Sequence, residues 1–259
     1  MNLDAVFFDI DGTLVSFNTH SIPQSTKDAV KLLRQNGVKV FIATGRPYSD
    51  INNLEDLIFD GYITANGAYC ITADGEVIHK NLIAHDNLLR LIEFQKIHPF
   101  PCVLMTEKGN FINYINQSVE NIQRLVNLPN PPIRQLEDMI EDGVFQIDAF
   151  IDEDLEKLVI EIALTGCEGA RWHPSFVDIN VANNNKGTGI SKFIDYYGLK
   201  RENTIAFGDG GNDIAMLRYA GLGIAMGNAD DNVKCNADYV TDSVDENGIL
   251  NALKYFKYL

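Results

Sequence analysis

Two aspartates, Asp9 and Asp11, stand one residue apart directly after the apolar run 5–8, and Gly12 and Thr13 follow them. An apolar, aromatic-rich run is typical of a strand that is covered on both faces. In an open α/β sheet, ligands bind where such strands end. Two carboxylates this close repel each other, so they need a cation or must share a proton. A hard divalent cation such as Mg²⁺, with Asp9 as an oxygen ligand, would meet that need, and an ordinary polar turn is the alternative.

The composition restricts the ligand classes and the location that we expect. The 259-residue chain has a formal net charge of −15, which argues against a nucleic-acid partner because such a surface needs a basic field. An anionic substrate would therefore depend on local cations. No apolar run reaches about 18 residues, and the N-terminus lacks the pattern of a signal peptide. We expect no membrane partner, a cytoplasmic location and a monomer.

Strand and helix patterns alternate at both ends of the chain, which is typical of a parallel sheet with right-handed crossovers. Ser25 and Asp28 form a capping-box pattern that predicts a helix start. Pro47 predicts the start of a second helix that continues to Ile58. Further strands are predicted at 38–44, 62–65, 204–207, 222–226 and 239–241, and further helices at 186–197 and 248–256.

The middle of the chain has a different hydrophobic pattern from its two ends, and it predicts short paired strands and two or three amphipathic helices. This combination favours an α+β layer with an antiparallel sheet. We therefore predict an α/β protein in two parts. Residues 1–82 and 183–259 would form a doubly wound parallel-sheet core, and residues 83–182 would form an inserted α+β domain.

Polar groups follow two more of the predicted core strands. Thr44, Gly45 and Arg46 end the second strand, and Asn66 and Gly67 end the third. Each has a structural alternative, because Thr is a common helix cap and Asn-Gly is a common turn. They lie at the predicted ends of core strands, which is the edge of an open α/β sheet where ligands bind.

The second half of the chain adds two more groups. Lys186 begins a predicted helix, and Asp209, Asn212 and Asp213 follow the strand at 204–207. Alone, the lysine would be read as an exposed residue and the aspartates as helix-start carboxylates. Taken with the acidic pair after the first strand, they indicate a site with both carboxylates and a cation.

The segments 9–14, 43–46, 186–187 and 208–213 together resemble the four motifs of the haloacid dehalogenase (HAD) superfamily of phosphohydrolases. The resemblance covers essentially the whole chain. The insert between the second and third motifs is similar to the large α/β cap of the Cof-type subfamily. The resemblance implies a Rossmann-like core, a capping insert that sets specificity, and phosphoester hydrolysis.

By this resemblance Asp9 is the nucleophile that forms an aspartyl-phosphate, and Asp11 is the general acid and then the general base. Mg²⁺ would be held by the Asp9 carboxylate, the backbone carbonyl of Asp11 and the Asp209 carboxylate, with Asp213 as an additional candidate ligand. Thr44 would donate a hydrogen bond to a phosphate oxygen.

The resemblance also gives Lys186 the role of a point charge for Asp9 and for the transferring phosphoryl group. It places Gly45, Arg46, Asn66 and Gly67 near the phosphate or the leaving group. Asn212 would orient the groups around the lysine. The three asparagines at 183–185 depart from the glycine-containing turn that relatives often carry, but asparagine tolerates left-handed backbone.

The favoured hypothesis is a Mg²⁺-dependent phosphatase that acts on small phosphorylated metabolites such as sugar phosphates. A phosphomutase would share the aspartyl-phosphate, and a non-catalytic phosphometabolite-binding protein would lack Asp9, Asp11 or Lys186. A dehalogenase would need neither a metal nor an acid at Asp11. Asp148 in the insert is a candidate specificity residue or an ordinary packing residue.

Overall fold

The computed structural model describes residues 2–125 and 129–259. The chain divides into two compact units. One unit, here called the core unit, consists of Met1–Lys80 and Asn185–Leu259. The other, here called the inserted unit, is Asn81–Asn184, two residues longer at each end than the predicted insert. Within the described residues, no helix is both long and apolar enough to cross a bilayer.

Along the described residues the strands are, in chain order, β1 Ala5–Phe8, β2 Lys39–Ala43, β3 Gly61–Thr64, β4 Tyr69–Thr72, β5 Val77–Lys80, β6 Cys102–Thr106, β7 Gly109–Ile112, β8 Val144–Ala149, β9 Cys167–His173, β10 Phe176–Val181, β11 Thr204–Gly208, β12 Leu222–Ala225 and β13 Tyr239–Val240. The α-helices are α1 Gln24–Gln35, α2 His85–Ile97, α3 Gln117–Leu125, α4 Leu136–Met139, α5 Glu153–Ile162, α6 Lys186–Tyr197, α7 Ile214–Tyr219, α8 Asp231–Lys234 and α9 Gly248–Tyr255.

The core unit is built on one sheet with the strand order β13-β12-β11-β1-β2-β3-β4-β5. The strands from β13 to β3 are parallel, and the β3–β4–β5 meander is antiparallel. Apolar clusters cover both faces; one includes side chains of α1 and α9, and the other includes side chains of α6 and α7. The predicted doubly wound α/β core is confirmed.

Strand β1 lies near the middle of this sheet, and every one of its side chains is fully buried. Phe8 stacks on Phe207 of β11 at a ring-centroid distance of 5.4 Å, and Phe7 stacks on Phe41 of β2 at 4.9 Å. Burial of one such ring is worth about 1.5–3 kcal/mol. The aromatic run therefore fixes the strand whose end carries Asp9.

Two predictions about local structure in the core unit are wrong. Helix α1 begins at Gln24 with Pro23 as its N-cap and no side-chain cap, so Ser25 lies inside the first turn and forms no capping box with Asp28. After Pro47 the chain forms only the 3₁₀ turn Tyr48–Asp50. The apolar side chains of the following segment pack without a helix, and Glu55 adopts a left-handed φ of 52°.

The inserted unit contains a five-stranded antiparallel sheet with the order β7-β6-β8-β10-β9. Helices α2, α4 and α5 contribute to the apolar cluster on one face. The Asp152 side chain caps α5 by accepting the backbone N–H of Leu155, as the sequence predicts. The short helix α4 was not predicted. The α+β character of the insert is confirmed, and the end of the predicted helix at Val126 lies outside the described residues.

Candidate active site

The functional candidates of the core unit come from loops at one edge of its parallel sheet. Phe8 is in register with Phe207 on one side and with Ile42 on the other. The Asp9 backbone N–H donates to the Phe207 carbonyl at 3.0 Å, so the sheet ladder continues to the first aspartate. Because parallel strands end on the same side, the loops after β1, β2, β3 and β11 converge there.

Lys186 joins two of the predicted acids. Its Nζ donates to Asp9 Oδ1 at 2.6 Å and to Asp213 Oδ1 at 2.6 Å, and the lysine is fully buried. Burial alone would lower the pKa of Lys186, but the carboxylates of Asp213 and Asp9 raise it above its ordinary value. The ammonium group therefore stays charged between two carboxylates.

The placement of Lys186 follows from the start of α6. Asn185 caps the helix by accepting the Thr188 backbone N–H, and Thr188 Oγ1 accepts the Asn185 backbone N–H, which completes a capping box. Asn183 adopts a left-handed φ of 67°, as the sequence predicts for this run of asparagines. At Gly67, a Cβ would lie 2.2 Å from the Asn185 carbonyl oxygen, so only glycine allows this approach.

Three carboxylates converge beside the lysine. Ligand oxygens of Asp9, Asp209 and Asp213 all lie within 4.8 Å of one another. Burial raises the pKa of Asp9 well above its usual range, the Asp213 carboxylate raises it further, and Lys186 opposes both effects. Burial and Asp213 together raise the pKa of Asp209 to about 7.

This donor set fits a hard divalent cation. Oxygen ligands from carboxylates are the ones that Mg²⁺ and Ca²⁺ prefer. One lysine faces three carboxylates, so the negative charge in excess is the charge that a cation would balance. The cluster of Asp9, Asp209 and Asp213 can therefore hold a metal ion.

Asp213 has a structural task within the cluster. Its Oδ2 accepts the backbone N–H groups of Asp209 and Gly210 at 2.9 and 2.8 Å, and its Oδ1 accepts from Lys186. Both oxygens are therefore committed to hydrogen bonds. This arrangement favours a role in positioning Lys186 and the Asp209 loop.

Asp11 points to a different partner. Arg46 Nε donates to Asp11 Oδ2 at 2.7 Å and Arg46 Nη2 donates to Asp11 Oδ1 at 2.6 Å, which forms a two-pronged ion pair. About a third of each side chain is accessible to solvent. The Asp11 carboxylate is not among the members of the acidic cluster, and a metal contact through its backbone carbonyl stays a prediction.

The remaining predicted residues lie in neighbouring loops. Thr44 is buried, and its Oγ1 accepts the Arg46 backbone N–H at 3.1 Å. Asn212 Nδ2 donates to Asn66 Oδ1 at 3.0 Å, which links the β11 loop to the β3 loop. A Cβ at Gly45 would lie 3.1 Å from Asn66 Oδ1, so the chain passes close to that asparagine.

Sequence reasoning missed two donors to Asp209. Thr13 Oγ1 donates to Asp209 Oδ1 at 2.9 Å, and Asn228 Nδ2 donates to Asp209 Oδ2 at 3.1 Å. Thr13 belongs to the segment 9–14, in which the sequence assigns chemistry only to Asp9 and Asp11. Asn228 follows β12, and a polar residue after a parallel core strand was the signal that could have identified it.

Comparisons with protein families and with solved structures agree on one family. The family model for haloacid dehalogenase-like hydrolases matches residues 6–253. The solved structure of the HAD phosphatase BT1666 from Bacteroides thetaiotaomicron is 42% identical, with a TM-score of 0.92 over 100% of this chain and 96% of that one. The HAD subclass IIB sugar phosphatase BT4131 is also 42% identical, with a TM-score of 0.86 over 99% of this chain and 100% of that one.

A curated relative extends this agreement. YkrA of Bacillus subtilis (strain 168) is 34% identical over 260 residues, which is 98% of each chain. Similarity at this level, over the full described fold, shows the family. The chain therefore belongs to the haloacid dehalogenase-like hydrolases and is a phosphatase of their Cof type.

Proposed function

We propose that this phosphatase is Mg²⁺-dependent and hydrolyses small phosphorylated metabolites, sugar phosphates first among them, through an aspartyl-phosphate on Asp9. One observation carries the proposal. A fully buried lysine bonds Asp9 and Asp213, and the Asp209 carboxylate lies beside them. Buried charges are costly unless they are paired, so an arrangement of this kind is characteristic of a functional site.

In the proposed first step, a carboxylate oxygen of Asp9 attacks the phosphorus atom of the ester. The new bond is Asp9 O–P, the bond that breaks is the one from phosphorus to the leaving-group oxygen, and Asp11 gives its proton to that oxygen. In the second step Asp11 takes a proton from water, the resulting hydroxide attacks phosphorus, and the Asp9 O–P bond breaks. Inorganic phosphate leaves and both aspartates return to their starting states.

The two-pronged ion pair with Arg46 fixes the orientation of the Asp11 carboxylate and favours its ionised form, which suits the base role of Asp11 in the second step. For Asp11 to carry a proton in the first step, this ion pair has to loosen when substrate arrives. The phosphate group would supply the anion for which the guanidinium exchanges its partner. Arg46 would thereby contact the substrate, as predicted.

Phosphate binding would use the groups around Asp9. Thr44 Oγ1 accepts a backbone N–H, and its hydroxyl hydrogen can be donated to a phosphate oxygen. The Lys186 ammonium would neutralise charge on the transferring group. Asn212, bonded to Asn66, would add amide donors from the adjacent loops, beside Gly45 and Gly67.

The metal would be held by the carboxylates of Asp9 and Asp209 and by the backbone carbonyl of Asp11, with Asp213 in support. A bound divalent cation screens the repulsion between an anionic nucleophile and an anionic phosphate. Mg²⁺ is the ion we propose because it binds through few carboxylates together with substrate phosphate oxygens.

The choice of substrate class rests on similarity. BT4131 is a sugar phosphatase, and we extend that class to this chain as a proposal. We also propose that residues 83–182 act as the specificity cap. The formal charge of −15 supports a small ligand that is attracted by local cations, Lys186 and Arg46, because the whole chain repels anions.

The test is phosphate release from a panel of phosphorylated metabolites and from p-nitrophenyl phosphate, with Mg²⁺ and with EDTA. We expect turnover that requires Mg²⁺ and is lost in Asp9→Asn. Asp154→Asn, which changes an exposed aspartate, is the matched control and should keep its activity. Retained turnover in Asp9→Asn would remove Asp9 as the nucleophile. Product analysis with glucose 1-phosphate separates hydrolysis from isomerisation by a phosphomutase.

A further inference from the structure

We propose that Asn228 is a positioning residue for Asp209 and that its side-chain amide sets the affinity of the acidic cluster for a divalent cation. This inference rests on the metal-dependent function proposed above. It concerns a residue that follows β12, outside the four segments that define the family resemblance.

The Asn228 side chain forms hydrogen bonds with three other segments of the core unit. Its Nδ2 donates to Asp209 Oδ2 at 3.1 Å and to the Gly12 carbonyl oxygen at 2.8 Å. Its Oδ1 accepts the Val244 backbone N–H at 3.0 Å. One side chain therefore connects the acidic cluster, the turn after Asp11 and the segment that precedes α9.

The Asp209 carboxylate is held at both oxygens. Thr13 Oγ1 donates to Oδ1 from one loop, and Asn228 Nδ2 donates to Oδ2 from another. With a donor at each oxygen, the carboxylate plane has a defined orientation before a cation arrives. A preorganised ligand loses less conformational entropy on binding and therefore binds more tightly.

Gly12 shows how closely these loops approach. A Cβ at this position would lie 2.1 Å from Asp209 Oδ2, and the residue has a left-handed φ of 85°. The turn after Asp11 can therefore pack on the Asp209 carboxylate only with glycine at this point. By bonding the Gly12 carbonyl, Asn228 ties together the two loops that supply the proposed ligands Asp11 and Asp209.

The size of the effect can be estimated from other metal sites. Removing a residue that orients a metal ligand typically lowers metal affinity by about 10- to 100-fold. Because the Asn228 side chain is exposed, its truncation leaves no cavity in the core. A weaker affinity in the variant would therefore report on the lost hydrogen bonds to Asp209 and to the Gly12 carbonyl, and not on packing.

The experiment measures binding of Mn²⁺, used as a paramagnetic substitute for Mg²⁺, to the full chain by electron paramagnetic resonance of the free ion. The variants are Asn228→Ala and Asn228→Ser, both too short to reach Asp209. The matched control is Asn232→Ala, an exposed asparagine four residues further along. Thermal melting of the metal-free proteins is recorded in parallel.

We expect the Mn²⁺ dissociation constant to rise about 10- to 100-fold in both Asn228 variants and to stay at the wild-type value in the control. A rise of less than about fivefold overturns the inference, even if melting is affected, because the role would then be structural. If the wild-type chain itself binds no Mn²⁺, the proposed metal dependence fails and this inference fails with it. Thr13→Val, which removes the donor to the other oxygen, should weaken binding as well.

Discussion

Each unit of this molecule contains a close group of carboxylates, but only the group in the core unit has a buried lysine beside it among the described residues. In the core unit, Lys186 lies between Asp9 and Asp213 at 2.6 Å from each. In the inserted unit, Asp148 of β8 and Asp178 of β10 are directly opposite each other in the antiparallel ladder. Among the described residues, neither Asp148 nor Asp178 forms an ion pair with a lysine or arginine.

The consequence is a difference in the interactions that shift the pKa values of these carboxyl groups. Burial raises the pKa of Asp148 to about 6, with a hydrogen bond from Gln146 opposing the shift. Burial and the nearby Asp148 raise the pKa of Asp178 well above its usual range. In the core unit, the buried Lys186 ammonium group therefore opposes the rise in the pKa of Asp9, whereas in the inserted unit no such cation opposes the rise in the pKa values of Asp148 and Asp178 among the described residues.

We expect the greatest loss of stability and activity when the Lys186 ammonium group is removed. Lys186→Met keeps the apolar stem and leaves Asp9 and Asp213 buried without a cation beside them. We expect a loss of about 3–5 kcal/mol in the free energy of unfolding, measured by urea titration. Phosphate release should fall by at least about 10²- to 10³-fold.

Lys254→Met is the matched control, because Lys254 is exposed in α9. It should change neither quantity. A loss of less than about 1 kcal/mol in Lys186→Met, which is typical of a surface ion pair, would contradict the view that Lys186 compensates the two acids.

The next effect tests the pair in the insert. The pKa of Asp148 is raised in the folded state, so the folded chain binds more protons than the unfolded chain between pH 3.8 and about 6. The stability that Asp148 contributes is therefore present below pH 3.8, its pKa in the unfolded chain. It is lost as the pH rises through about 6, its pKa in the folded chain. Asp148→Asn removes that loss.

We expect Asp148→Asn to be more stable than wild type at pH 8 by at most about 3 kcal/mol, and to match it near pH 4. Urea midpoints at the two pH values measure this difference. Glu161→Gln, at an exposed position of α5, is the control and should show no pH-dependent gain. A variant that is less stable at pH 8 would mean that the Asp148 charge is compensated.

The smallest effect concerns the second cation of the core unit. Arg46→Lys keeps a positive charge but loses the two-pronged geometry on Asp11. We expect a fall in kcat/KM of about tenfold, equivalent to about 1.4 kcal/mol, with the affinity for Mn²⁺ unchanged. Arg218→Lys, an exposed arginine of α7, should behave as wild type. A loss of Mn²⁺ binding in Arg46→Lys would indicate instead that Arg46 helps to position the metal ligands.

Much of the core unit could be predicted because its signals are local. The apolar run before Asp9 and the asparagine turn before Lys186 each determine structure within a few residues. Their order along the chain then implies a parallel sheet. The contact of Lys186 with Asp9 was predicted only through the family resemblance, since 177 residues separate the two.

The wrong helix prediction after Pro47 and the missed donors Thr13 and Asn228 have a common physical cause. Each depends on contacts with residues outside its own segment. The segment after Pro47 has helical spacing of apolar residues, yet tertiary packing holds Leu54 and Leu57 without a helix. The hydrogen bonds from Thr13 and Asn228 to Asp209 span 196 and 19 residues. Threonine and asparagine are common in turns, so their types alone do not identify them as positioning groups.

The central position of β1 also has a consequence for stability measurements. Asp9 continues the hydrogen-bond ladder of a strand with neighbours on both sides and no exposed side chain. Such strands open only when the whole unit unfolds, so their amide protons exchange most slowly. We therefore expect denaturant to abolish catalysis and to melt the sheet at the same concentration, which makes turnover a reporter of global unfolding in this unit.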